Sequence, residues 1–124
     1  MARILAVEDS ETVRTQLRKD LEDAGHEVIE AEDGAAGLAQ FQANAGIELV
    51  ISDLNMPNMD GITMCAKLHE AGHRVPIFML TTEAVEHLKQ KAKENGVVAW
   101  IVKPYSADKL TQAVAKILAR AKGS

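Results

Sequence analysis

"ELVISDLNMPNMDG", residues 48–61, carries the pattern on which the rest of the chain turns. Leu49, Val50 and Ile51 form an apolar run of strand character, which breaks at Asp53 into a turn of Asn, Met, Pro and Gly. A strand with no polar alternation is buried on both faces, as the interior strands of a parallel sheet are. A carboxylate ending such a strand is costly to desolvate unless something uses its charge.

The same unit recurs on either side. "RILAV" (3–7) reads as a strand, followed by a helix over 10–25 with Val13, Leu17 and Leu21 on one face and Gly25 as its stop. "HEVIEA" (26–31) is a partly polar strand of the kind found at a sheet edge. Gly34 opens a helix carrying Leu38 and Phe41. After the strand at 49–52 comes a helix from Gly61 to Gly72, a strand at 75–80, and a polar helix ending at Gly96. The strand 99–102 and a helix over 106–121, with Leu110, Val114, Ile117 and Leu118 on one face, complete the chain.

Five β-α units in succession predict an α/β fold: a doubly wound, five-stranded parallel sheet with helices on both faces. The most apolar strands, the first, third and fourth, belong at its centre, which gives the order 2-1-3-4-5 of a flavodoxin-like sheet. One domain over 1–121 is expected, with 122–124 as a disordered tail. The 124 residues are enough to bury roughly two-thirds of the unfolded surface. A net charge of −4 argues against a nucleic-acid surface, which needs a basic face. No apolar run approaches the ~18 residues of a membrane span, and the acidic N-terminus is unlike a signal peptide. The single cysteine, Cys65, excludes an internal disulfide and is expected to be a small packed side chain, so a monomer in a reducing cytoplasm is the expectation.

Ligands of open parallel sheets bind beyond the carboxyl ends of the strands, where the strand order reverses. At those ends stand Glu8 and Asp9 (first strand), Asp53 (third), Thr81 and Thr82 (fourth) and Lys103-Pro104 (fifth). Three clustered carboxylates repel unless a cation holds them, and an all-oxygen set suits a hard ion such as Mg²⁺. A carboxylate beside Mg²⁺ can attack phosphorus and become an aspartyl-phosphate. Lys103 and Thr81 are then placed to hold the phosphoryl oxygens, because that transfer depends on positioning and charge neutralisation.

"VEDS", "DLNMPNMDG", "MLTT" and "VKPY", in this order and each at a strand end, resemble the receiver domain of bacterial response regulators over essentially the whole chain. The similarity is greatest to single-domain members of the chemotaxis type. The resemblance implies Asp53 as phosphoacceptor and Asp9 as a direct Mg²⁺ ligand. It implies Glu8 acting through metal-bound water and Asn55 supplying a backbone carbonyl. Thr81 would move toward the phosphoryl group, Lys103 would pair with it, and Lys103-Pro104 would be a cis peptide. Trp100 falls where the family carries an aromatic that swings inward on activation, with Tyr105 as a second switch candidate. Asn55, Thr82 and Glu83 match positions that tune the rate of phosphorylation or self-hydrolysis. The implied partners are a sensor histidine kinase and a protein target, of which the flagellar motor is one; a phosphorelay intermediate or phosphate sink is the other role open to such a chain. Glu8 for the commoner Asp, Thr82 for Ala and Trp100 for a smaller aromatic depart from the family pattern.

Competing readings are weaker. "HEAGH" (69–73) has zinc-protease spacing, but Gly72 stops the helix before His73 and no third ligand is evident. "DLNMPNMDG" begins like a calcium loop, yet Pro57 and Met64 stand where ligands are required. Thr81 could be only a helix N-cap. Lys89, Lys91 and Lys93 read as a solvated helix face. A phosphohydrolase of the haloacid dehalogenase type would carry its nucleophile on the first strand as Asp-x-Asp, which "LAVEDS" lacks. A receiver that works without phosphorylation would be expected to have lost acids, Thr or Lys. The chain therefore reads as a signalling switch rather than an enzyme that turns over a substrate.

Overall fold

The computed structural model describes residues 2–123, with side chains through Arg120. Strands and helices alternate throughout: β1 (Arg3–Val7), α1 (Glu11–Asp23), β2 (Glu27–Ala31), α2 (Gly34–Ala43), β3 (Ile47–Ser52), α3 (Gly61–Glu70), β4 (Ile77–Thr81), α4 (Glu86–Glu94), β5 (Val97–Val102) and α5 (Ala107–Gly123). The sheet is wholly parallel in the order β2-β1-β3-β4-β5. The expected tail, 122–124, falls at the end of α5, beyond the described side chains, and Ser124 lies outside the described residues.

The period of two along each strand divides the core between the two faces of the sheet. Leu5, Val7, Val50 and Met79 point to one face, where Ile62, Met64, Cys65 and Leu68 of α3 and Ala92 of α4 cover them. Ile4, Ala6, Leu49, Ile51, Phe78 and Leu80 point to the other and meet Leu17 and Leu21 of α1 and Leu110, Val114 and Leu118 of α5. Burial on both faces is why β1, β3 and β4 read as continuous apolar runs, while edge strand β2 keeps Glu27 exposed and Glu30 half-buried.

The caps follow local chemistry. Ser10, Asp33 and Asp60 each accept the backbone N–H three residues on and so start α1, α2 and α3. Gly25, Gly72 and Gly96 take positive φ just beyond the ends of α1, α3 and α4. Gly72 thus separates His69, on α3, from His73, whose ring instead meets Phe41 edge-on with centroids 4.7 Å apart; the zinc-protease spacing is accidental. Strand bounds differ from the sequence reading by a residue or two. β3 and β5 begin earlier, at Ile47 and Val97, because sheet pairing carries the strand past Glu48 and Val98. β4 begins later, at Ile77, and takes in Thr81.

Candidate functional site

Backbone pairing runs one residue beyond the strand ends and lines up the side chains that matter. Glu8 N–H donates to the Ala31 carbonyl at 3.0 Å, Asp53 N–H to Val7 at 2.9 Å, and Lys103 N–H to Thr81 at 2.9 Å. Side chains far apart in sequence are thereby brought to one crevice.

At its centre is the Lys103 ammonium. It donates to Glu8 Oε1 at 2.5 Å and to Asp53 Oδ2 at 3.1 Å. The remaining carboxylate oxygens are also engaged: Glu8 Oε2 accepts Ser10 N–H at 3.0 Å, and Asp53 Oδ1 accepts Leu54 N–H at 2.7 Å. Glu8 and Asp53 are buried, whereas Asp9 is exposed. One oxygen from each of the three acids lies within 4.8 Å of the others. The repulsion expected among three acids is therefore partly met by the protein's own cation.

The charges respond to this environment. Burial raises the Glu8 pKa above its ordinary value, as does the Asp53 charge; the Lys103 and Ser10 hydrogen bonds pull the other way without overcoming it. For Lys103 burial works downward, but the Glu8 hydrogen bond and the charges of Asp53 and Glu8 outweigh it, and its pKa is raised. The donor set is all oxygen with no His or Cys, as a hard divalent ion prefers. Glu8 and Asp53 each have both oxygens hydrogen-bonded, whereas Asp9 is exposed at the rim of the cluster.

The other expected residues form a second group. Thr81 is buried, and its hydroxyl accepts Glu83 N–H at 3.2 Å. It does not cap α4, whose N-cap is Val85 without a side-chain bond. Asn55 Nδ2 donates to Glu83 Oε1 at 3.1 Å, and Trp100 Nε1 donates to the Glu83 carbonyl at 2.8 Å. Glu83 thus joins Asn55, Thr81 and Trp100. Trp100 itself is half-buried beside the α4 face of the core. Thr82 is exposed near Lys103, on a groove between α1 and the loop before α5 that Tyr105 also lines. Tyr105 OH donates to Asp20 Oδ2 at 2.6 Å; burial, then this partner, hold its pKa well above the usual phenol range. Lys103-Pro104 is cis. Cys65 is fully buried and its thiol is pushed up to about 12 by burial, as for a packed side chain.

Three neighbours escaped the sequence reading. Arg14 donates to the Glu8 carbonyl at 2.7 Å and pairs with Glu30 at 3.4 Å, fixing the backbone under the acids. Ser52 Oγ donates to the Asp53 carbonyl at 2.8 Å. Gly61 packs so closely that a Cβ there would stand 2.2 Å from that same carbonyl oxygen. Only the Asp-Gly pair ahead of α3 hinted at such a contact.

A parallel sheet of this order, with acids and a lysine at its switch point, is the architecture of a receiver domain. Residues 4–115 match the response regulator receiver domain family, and the chain belongs to it. It is similar to chemotaxis protein CheY1 of Helicobacter pylori, 34% identical over 119 residues that span 94% of this chain and 96% of that one. Among solved structures, chemotaxis protein CheY4 of Vibrio cholerae superposes with a TM-score of 0.86 at 37% identity, covering 94% of this chain and 98% of that one. A chain of the CheX-CheY-BeF3-Mg²⁺ complex of Borrelia burgdorferi superposes at 0.88 with 28% identity, over 94% and 88% of the two chains. Other relatives are longer. The chain spans 49% of the alkaline phosphatase synthesis transcriptional regulatory protein PhoP of Bacillus subtilis and 12% of the sensor histidine kinase RcsC of Salmonella typhi.

Proposed function

We propose that this chain is a phosphorylation switch whose phosphoacceptor is Asp53. The observation that carries the reading is the Lys103 ammonium, 3.1 Å from Asp53 Oδ2 and bonded also to Glu8, with Asp9 exposed alongside. A carboxylate oxygen of Asp53 attacks the phosphorus of a kinase phosphohistidine. The O–P bond forms, the N–P bond breaks, and its electron pair returns to the imidazole nitrogen. Lys103 neutralises charge on the transferred group, and its bond to Glu8 keeps the ammonium beside Asp53. Asp9 and Asp53, with the Asn55 carbonyl, would hold Mg²⁺, which supplies charge neutralisation on the phosphoryl oxygens when bound.

Thr81 then carries the signal, since its hydroxyl, which accepts the Glu83 N–H, can move to donate its own proton to a phosphoryl oxygen. That loosens the Glu83 loop to which Trp100 is bonded and alters the α4–β5 surface; Tyr105 is the second route, through α1. Asn55, Thr82 and Glu83 set the lifetime. The chain's own chemistry is its phosphorylation and hydrolysis, and it works as a cytoplasmic monomer without nucleic acid. Among the described residues no helix is long and apolar enough to cross a membrane. Likeness to chemotaxis proteins over 96% of one relative's length favours chemotaxis as the pathway and a motor component as the target.

Acetyl phosphate with Mg²⁺ should add one phosphoryl group by intact mass, and Asp53→Asn should add none. An adduct that persists in Asp53→Asn would refute the assignment.

A further inference from the structure

Asn58, in the loop between β3 and α3, has φ of 67°, the one residue other than glycine with a positive φ among the described residues, in a conformation that asparagine tolerates better than most side chains. Met59 N–H donates back to the Pro57 carbonyl at 2.7 Å and closes a γ-turn over it, a rare and strained form. Such a conformer persists only where its surroundings over-determine it.

The surroundings here are the loop before α2. Asn58 Nδ2 donates to Asp33 Oδ2 at 2.7 Å, while Asp33 Oδ1 accepts Ala36 N–H at 2.7 Å. Asp33 is buried at 6% exposure, while Asn58 is exposed. Beside it, Gly34 N–H donates to the Met59 carbonyl at 3.1 Å. A Cβ on Gly34 would stand 2.5 Å from that oxygen, so only glycine allows the approach. The far end of the β3–α3 loop is thus held by two bonds from the β2–α2 loop. Its near end is closed by Gly61 N–H to the Leu54 carbonyl at 2.8 Å. Asn55 lies between the two clamps.

We infer that Asp33 is a positioning residue for divalent-metal binding: it holds Asn58 left-handed and so fixes the loop backbone from which Asn55 presents its carbonyl. The inference rests on the reading of Asp9, Asp53 and Asn55 as Mg²⁺ ligands. The competing role is that Asp33 only caps α2. The two separate chemically, because serine still caps but lacks the second oxygen that reaches Asn58.

Mg²⁺ affinity of the full chain is measured by calorimetric titration for wild type, Asp33→Ser, Asn58→Gly and the double variant, with urea midpoints alongside. Asp33→Ser should bind Mg²⁺ about tenfold more weakly, the size of loss seen when support behind a ligand is removed, with a lowered midpoint but a single cooperative transition, since a bond to a charged group is lost. Asn58→Gly should bind as wild type does, and adding it to Asp33→Ser should recover most of the loss, because glycine takes a positive φ unsupported. Should Asp33→Ser fail to fold, Asn58→Ala set against Asn58→Gly asks the same question, with Ala expected to weaken binding and Gly not. Wild-type affinity in Asp33→Ser, a loss that Asn58→Gly leaves in place, or equal affinity in the Ala and Gly variants overturns the inference. A wild-type chain that binds no Mg²⁺ overturns the metal reading itself, and the inference with it.

Discussion

Replacing Lys103 by Met removes the cation from the crevice while keeping an apolar stem of similar length. The Glu8 side chain is 2% exposed, that of Asp53 11% and that of Lys103 16%, so water can do little to replace the lost partner. Breaking a fully buried pair costs about 3–5 kcal/mol, much of it from the charge left behind. Ser10 and Leu54 N–H still serve one oxygen of each acid, which places the expected loss near the bottom of that range, at about 3 kcal/mol at pH 7. In metal-free urea unfolding this lowers the midpoint by about 1–2 M with no change of slope. The cost has a pH signature. Burial already raises the Glu8 pKa, and without Lys103 it rises further. A group that binds its proton more tightly when folded destabilises the folded state as pH rises through that range. The Lys103→Met penalty should therefore shrink as pH falls toward 4.5, the ordinary Glu8 value, where the carboxyl takes up a proton. Adding Glu8→Gln to Lys103→Met should recover about 1–3 kcal/mol, the coupling expected of groups in direct contact. A Lys103→Met midpoint equal to wild type at pH 7, or a penalty that does not vary with pH, would refute a buried ion pair at this site.

Gly61→Ala forces a Cβ to within 2.2 Å of the Asp53 carbonyl oxygen, a backbone atom with nowhere to go. It should cost about 3 kcal/mol in urea unfolding and slow phosphorylation by acetyl phosphate; wild-type values for both would show that the loop tolerates the group. Tyr105→Phe deletes the 2.6 Å bond to Asp20 and should lower stability by about 1–2 kcal/mol, which an unchanged urea midpoint would contradict. Beryllofluoride with Mg²⁺ should change the emission of Trp100, the one tryptophan, because its indole N–H is bonded to the Glu83 carbonyl just past Thr81. Flat emission while the mimic binds would make Trp100 static core.

What the sequence discloses and what it withholds divide along a physical line. The sheet order and the convergence of Glu8, Asp9, Asp53 and Lys103 were legible because both follow from where apolar runs stop, and burial is written residue by residue in one dimension. The strand starts were less legible, since Ile47 and Val97 pair with Arg3 and Ile77 only across register shifts at the unpaired Glu48 and Val98. The bonds that aim the site were not legible at all. Arg14 to the Glu8 carbonyl, Asp33 to Asn58, and Trp100 to the Glu83 carbonyl each join side chains to loops that only the finished fold brings together. In a sequence, Asp33 is an ordinary N-cap and Asn58 an ordinary turn residue. The consequence is an asymmetry in how the two sets should fail. Losing a residue that the pattern reveals removes a charge or a nucleophile from the crevice. Losing one that it conceals leaves every charge in place and displaces the backbone that presents it, so its effect falls on metal affinity before it falls on the capacity for chemistry.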